Sequence, residues 1–279
     1  MRSGGLDISS RFVHDIDVKV DNVYESGLIR PAKIEQAMAW LIEHGPLLEE
    51  PPLPWWMLRD LVRAGRIARV RRGLYLVPRP HGEMLPLPAI ATELEPRGYL
   101  SFYGALVHYG LTDQDTATWQ YVSPKRARAL RLGGRRLDFV PWPSRLAHSD
   151  VRLVKMASAT VRVASPEQAL CDLLEAPKLA PNWPELLHIL RNGLALKRMS
   201  VSRLRARALD IRSPALARRL GLLIEMETGK IDAKLLEIAQ RSNDWTRLAG
   251  LGTRVRVRDP KWRLELPRRR EELIAAVRA

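Results

Sequence analysis

The sequence is poor in the residues that staple small proteins or hold metals. It has one cysteine, Cys171, in 279 residues, which excludes a disulfide framework and any paired-cysteine zinc site. Its six histidines are scattered, and none stands four residues from another, so no helical metal pair exists. No apolar run approaches the roughly 20 residues of a membrane span, and the first ten residues lack the apolar stretch of a signal peptide. The phosphate-binding G-x-x-x-x-G-K-[ST], the dinucleotide G-x-G-x-x-G, the nucleophile-elbow G-x-S-x-G and the metalloprotease H-E-x-x-H are all missing. These absences point to a soluble, cytoplasmic, non-enzymatic protein with no cofactor and no bound metal. Lysine is scarce as well: nine of the 46 cations are Lys and the rest are Arg. Acidic residues number only 31, which leaves a net charge of +15. A GC-rich genome can enrich Arg, but it does not remove Asp and Glu. The excess therefore points to a polyanionic partner.

What is present is an ordinary globular composition, 46% hydrophobic, over a length that suits one large domain or two smaller ones. The charge is uneven. Residues 1–85 hold 12 cations and 11 anions, and residues 86–279 hold 34 and 20. Residues 59–79 carry seven Arg against the single Asp60, and 122–156, 191–219 and 254–279 are each strongly basic. Residues 1–30 read as an N-terminal extension in which Phe12 to Val20 alternates like a short strand. Pro31 opens a helix carrying Ile34, Met38, Leu41 and Ile42. Leu47 to Pro54, with its prolines, reads as a loop or broken turn. Trp55 to Ala64 is helical again and stops at Gly65. Ile67–Val70 and Leu74–Val77 form a hairpin through Arg71-Arg72-Gly73. The stretch from Arg79 through Pro86-Leu87-Pro88 is the best linker candidate. The second half reads as mixed helices and strands, with cap-then-proline signals at Ser165-Pro166 and Ser213-Pro214.

Helix, broken turn, helix and a two-strand hairpin with a cationic tip is the order of a winged helix-turn-helix. The sequence therefore predicts an α+β protein. A winged helix-turn-helix DNA-binding domain spans 31–80, and a larger mixed α/β domain spans 86–279. On a helical wheel, Trp55, Leu58, Leu61, Val62 and Gly65 fall inward, and Trp56, Arg59, Asp60 and Arg63 fall outward. Such a helix fits the major groove, where Arg donates two hydrogen bonds to guanine O6 and N7. Trp56, Arg59 and Arg63 are thus expected at base edges, and Arg66, Arg69, Arg71 and Arg72 on or beside the wing. Lys125, Arg126, Arg135 and Arg136, which flank the Gly133-Gly134 turn, would extend the footprint along phosphates. Asp60 repels phosphate unless it pairs with Arg63 or accepts from a cytosine amino group. The partner is then double-stranded DNA, an operator bound as an inverted repeat by a pair of copies.

Other chemistry is weaker. Asp138 and Asp150 lie near basic residues and raise a metal-dependent nuclease as an alternative, without the Asp/Glu-x-Lys pairing on an adjacent strand. Cys171, mid-helix in a Leu-rich run, fits a buried core thiol. His108 fits a surface or boundary position, and Trp40, Trp55 and Trp183 fit core positions. Arg203, Arg205 and Arg207 alternate along a helix and cannot share one face. A third alternative is a scaffold that buries its second half against a protein partner.

Four ordered segments carry a family resemblance: Leu61 to Tyr75, Tyr99-Leu100-Ser101-Phe102-Tyr103-Gly104-Ala105-Leu106 with Gly110-Leu111, Ala164-Ser165-Pro166-Glu167-Gln168-Ala169-Leu170-Cys171-Asp172-Leu173, and Arg218-Arg219-Leu220-Gly221-Leu222-Leu223. Lys261-Trp262-Arg263-Leu264 is a candidate fifth. The set resembles the AbiEi-type antitoxins of type IV toxin–antitoxin systems. The resemblance implies an N-terminal winged helix, a C-terminal antitoxin domain and repression of the protein's own operon. It also implies a co-encoded nucleotidyltransferase-like toxin as functional partner, neutralised without a stable complex. The 30-residue extension and the proline-rich turn before the second helix depart from the family pattern.

Overall fold

The computed structural model describes residues 31–79, 84–114, 117–248, 257–267, 269 and 271–273. The candidate strand at Phe12–Val20 lies outside the described residues. The chain divides into two compact units, Met1–Leu85 and Pro86–Ala279.

The first unit runs α1 (Pro31–Glu43), β1 (Leu47–Glu49), α2 (Trp55–Arg63), β2 (Ala68–Arg71) and β3 (Leu74–Leu76). Helix α1 buries Ala37, Met38 and Leu41, and α2 meets them with Met57, Leu58 and Leu61, closed below by Ile67 and Val77. These residues recur three and four apart, so each helix turns one apolar stripe inward. Helix α2 stops where Gly65 takes φ +68°. There the Gly65 N–H donates to the Val62 carbonyl at 3.0 Å and the Arg66 N–H to the Leu61 carbonyl at 2.9 Å, which satisfies the last turn. The hairpin turns at Gly73, φ +77°, a conformation that other residues adopt only at a cost. A register shift between Arg69 and Arg71 bulges β2. The sheet order is β1-β3-β2, antiparallel throughout. Strand β1 corrects the expectation that 47–54 is loop alone. Leu47 to Glu49 pair with Leu76 to Leu74, and three residues are too few to show an alternation.

The second unit opens with α3 (Leu87–Leu94), β4 (Tyr99–Ser101), α4 (Phe102–His108), β5 (Thr118–Ser123), β6 (Leu130–Leu132), β7 (Arg135–Pro141), α5 (Pro143–Leu146), β8 (Val151–Met156) and β9 (Ala159–Ala164). Five helices follow: α6 (Pro166–Glu175), α7 (Trp183–Ala195), α8 (Val201–Ile211), α9 (Pro214–Thr228) and α10 (Ala233–Ala239). Strands β10 (Thr246–Arg247), β11 (Val257–Asp259) and β12 (Leu264–Leu266) form a small separate sheet. The main sheet has six strands in the order β6-β7-β5-β4-β9-β8, with β5·β7 and β4·β9 parallel and the other pairs antiparallel. The described architecture is mixed α and β, as the sequence predicts.

One expectation is corrected here. Pro86-Leu87-Pro88, read as linker, starts α3: Pro88 sits in the first turn, where a helix has no use for its missing N–H. Strand β4 carries no alternation in the sequence, because Tyr99, Leu100 and Ser101 are all fully buried and a strand covered on both faces shows none. The caps, by contrast, form as their sequence signals require. The Ser165 and Ser213 hydroxyls accept from the N–H groups of Gln168 and Leu216.

Candidate nucleic-acid interface

Trp55, Arg59 and Arg63 recur every four residues and form one outward stripe on α2. Trp55 is 71% exposed, whereas Trp56 packs against the core of the first unit. This reverses the wheel, which put Trp55 inside and Trp56 out. Met57 takes the inward position that the wheel gave to Trp55, and Trp56 reaches the core from the first turn. The signal was weak because adjacent tryptophans at a helix start differ only in where the first turn points.

Arg59 is held twice. Its Nε donates to Asp60 Oδ1 at 2.9 Å, and its guanidinium carbon stands 5.1 Å from the centre of the Trp55 ring, within cation–π range. Asp60 therefore pairs with Arg59, not with Arg63. Arg63 is exposed, with no carboxylate partner among the described residues. Arg66 is drawn back to α1, its two terminal nitrogens donating to Glu35 at 3.1 and 3.3 Å. Those hydrogen bonds and the Arg66 charge hold the Glu35 carboxyl below the usual carboxylate range. On the hairpin, Arg71 donates to Glu49 at 3.1 Å. The Glu50 N–H donates to the Gly73 carbonyl at 2.7 Å, so the end of β1 braces the turn. Arg69 and Arg72 stand exposed, without a carboxylate partner among the described residues. Glu35 and Glu49, which decide which arginines are spoken for, come from α1 and β1. Their spacing in sequence gave no sign of that role.

The other four predicted residues lie on the second unit. Lys125 stands 3.5 Å from Glu95, and Arg126 is exposed. Arg135 and Arg136 begin β7, just past the Gly133-Gly134 turn of the β6–β7 hairpin. The Arg135 guanidinium lies 5.0 Å over Trp119, and Arg136 pairs with Asp138 at 2.6 Å. Asp138, one of the two nuclease candidates, is thereby committed to a neighbour. Among the described residues no three His, Cys, Asp or Glu side chains gather as a metal group would need, and no helix is long and apolar enough to cross a membrane.

Several other arginines of the second unit are held by partners of their own unit, although Arg203 keeps 52% of its side chain exposed and Arg128, Arg131 and Arg152 stand exposed. Arg203, Arg205 and Arg207 reach Glu167, Asp232 and Asp210 at 2.6, 2.5 and 2.9 Å. Arg218 is buried and donates to the carbonyls of Ala239 and Ser242 and the hydroxyl of Thr246. Arg219 donates to the carbonyls of Arg247 and Leu174. Burial lowers both guanidinium pKa values, Arg219 to about 10. Beneath the sheet, fully buried Asp172 accepts from Ser101 at 2.7 Å, Gln168 at 2.7 Å and Tyr99 at 3.2 Å. Arg145 Nε stands 3.1 Å from it, and the other end of the guanidinium donates to Glu175. Burial pushes the Asp172 carboxyl up to about 6 against these favourable partners. Burial also raises the thiol of Cys171 far above its ordinary value, which fits a core thiol and not a nucleophile. Gly221 abuts the fully buried Trp262, whose indole N–H donates to Glu225 at 2.6 Å.

The segment that holds Asp172, Arg218 and Gly221 matches a known family: residues 99–226 fit the model of the AbiEi antitoxin C-terminal domain. The second unit carries an AbiEi antitoxin domain. Three of the four resembling segments fall inside the match, and their polar residues, Ser101, Asp172, Arg218 and Arg219, are interior fasteners of the AbiEi domain. The chain is also similar to a solved structure, the RV2827C protein from Mycobacterium tuberculosis. The TM-score is 0.61 at 18% identity, over 90% of this chain and 96% of that one, so the likeness is one of fold. No curated protein matches the sequence.

Proposed function

We propose that the protein is an antitoxin that represses its own operon, binding operator DNA through residues 31–79 and countering a co-encoded nucleotidyltransferase-like toxin. The AbiEi domain supports the antitoxin role. The order α1, β1, α2, β2, β3, with sheet order β1-β3-β2, supports reading the first unit as a winged helix-turn-helix. Helix α2 is then the recognition helix and β2–β3 the wing. One observation carries the reading: Arg63 on the helix and Arg69 and Arg72 on the hairpin are exposed and lack carboxylate partners among the described residues, while adjacent Arg66 and Arg71 are tied down. Charges left open in a unit that carries acids able to pair with them are free to meet phosphates and base edges. Lys125, Arg126, Arg135 and Arg136 would add phosphate contacts. Two copies on an inverted repeat would supply the specificity that one module lacks.

The test is affinity of the full chain for the DNA upstream of its own reading frame, against a scrambled fragment, together with a promoter reporter. The reading requires tighter binding upstream and repression. Arg63→Ala should weaken upstream binding by about 1–3 kcal/mol if Arg63 reads a base and lower scrambled binding less. Equal affinity for both fragments, with no repression, would refute it.

A further inference from the structure

We infer that Trp55, Arg59 and Asp60 form a preassembled reading head for adjacent thymine and guanine bases in the operator. This rests on the DNA-binding reading of the first unit. The indole of Trp55 is the most exposed large apolar group among the described residues of that unit, at the N-terminal end of α2, the end of a recognition helix that meets base edges. Exposing so much indole costs apolar burial, and the cations around it fit a polyanion as its cover. Arg59 crosses the ring at 5.1 Å. Its Nε is consumed by Asp60 at 2.9 Å, which leaves the two terminal nitrogens as the open donors. Two parallel N–H groups match the O6 and N7 acceptors of guanine. Ring and carboxylate together hold the guanidinium in one orientation, so less rotamer freedom is lost on binding. Beside it, the apolar indole edge matches the C5-methyl of thymine, which is the one apolar feature of the major groove. Asp60, which as a bare anion would repel DNA, becomes a positioning residue. A second copy of this chain is the poorer occupant, because a self-interface here would bring like-charged arginines together.

The experiment measures full-chain affinity for the upstream DNA by fluorescence anisotropy, with thymine replaced by uracil or guanine by 7-deazaguanine. Wild type should lose about fourfold on the uracil DNA, the worth of a buried methyl at each contact. Trp55→Ala should lose a similar factor on thymine DNA and nothing further on uracil DNA. Arg59→Ala should lose about tenfold on guanine DNA and little on the 7-deaza form. Asp60→Ala should bind scrambled DNA more tightly yet discriminate less, and Asp60→Glu should restore part of the discrimination. A simple repulsive role for Asp60 would raise both affinities alike and overturn its part. Undiminished wild-type binding to uracil DNA would overturn the reading head even if Trp55→Ala fails to fold. So would a Trp55→Ala variant that loses equally on both DNAs, or only loses self-association. Failure of the wild type to prefer the upstream DNA at all would fell the DNA-binding reading itself, together with this one.

Discussion

Arg63, Arg69 and Arg72 of the helix–hairpin unit stand in solvent without a carboxylate partner among the described residues, whereas Arg203, Arg205, Arg207, Arg218 and Arg219 of the AbiEi domain are spent on carboxylates, carbonyls and a hydroxyl of their own chain. The contrast inverts what net charge suggests. The near-neutral region 1–85 presents open cations, while the basic stretch 191–219 consumes most of its cations in folding. Arginine suits both tasks because its planar fork of donors can serve several backbone carbonyls as readily as phosphates or base edges. Charge counts along a sequence thus locate arginines, but only their partners decide whether they are available.

The comparison breaks most visibly if an interior arginine of the AbiEi domain is removed. Arg218→Ala strands the Ala239 carbonyl and the Thr246 hydroxyl, while the Ser242 carbonyl keeps Arg263 as a donor. It should cost about 2 kcal/mol or more, since each buried unpaired group costs about 1–3 kcal/mol. Urea denaturation checks this, and a loss under about 0.5 kcal/mol would mean that Arg218 is no fastener. Gly221→Ala comes next. A β-carbon there would stand 2.2 Å from the ring of fully buried Trp262, and overpacking of that kind costs about 1–3 kcal/mol. An unchanged melting temperature would show that the indole can move aside. Smaller still is a pH effect at Asp172. Its folded value near 6 lies above an unfolded value near 4, so the folded state holds the proton longer. Its contribution to stability is therefore fully present at low pH, declines as pH rises from about 4 to about 6, and is level above. The stability gap between wild type and Asp172→Asn should accordingly widen by about 1 kcal/mol on going from pH 7 to pH 5, and a constant gap would contradict the raised value. At the bottom of the scale, Arg69→Ala and Arg72→Ala should leave stability within about 0.5 kcal/mol of wild type. A larger loss would mean that these arginines hold the fold.

Long, strongly patterned elements were legible in the sequence. The caps at Ser165 and Ser213, the apolar stripe of α1, the hairpin at Gly73 and the core place of Cys171 all follow from local rules. The α+β class and the AbiEi resemblance were legible too. Strands β1, β4 and β6 were not, because three residues carry no period and β4 is covered on both faces. Helix α3 was hidden by two prolines that read equally as linker or first turn. At the candidate interface, the type and number of cations could be read, but their pairing could not. Glu35 and Glu49 lie 31 and 22 residues from Arg66 and Arg71, and only the fold brings them together. Trp55 and Trp56 are the sharpest case, since one residue of helical phase separates core from surface.

The central claim is that the open arginines of the first unit, and not the fastened ones of the AbiEi domain, meet DNA. The salt dependence of full-chain binding to the upstream DNA tests it most directly. Each phosphate contact adds about 0.9 to the slope of log affinity against log salt. The account predicts that joint replacement of Arg63, Arg69 and Arg72 by alanine flattens that slope by about two to three units while the melting temperature holds. An unchanged slope in the folded triple variant would contradict it.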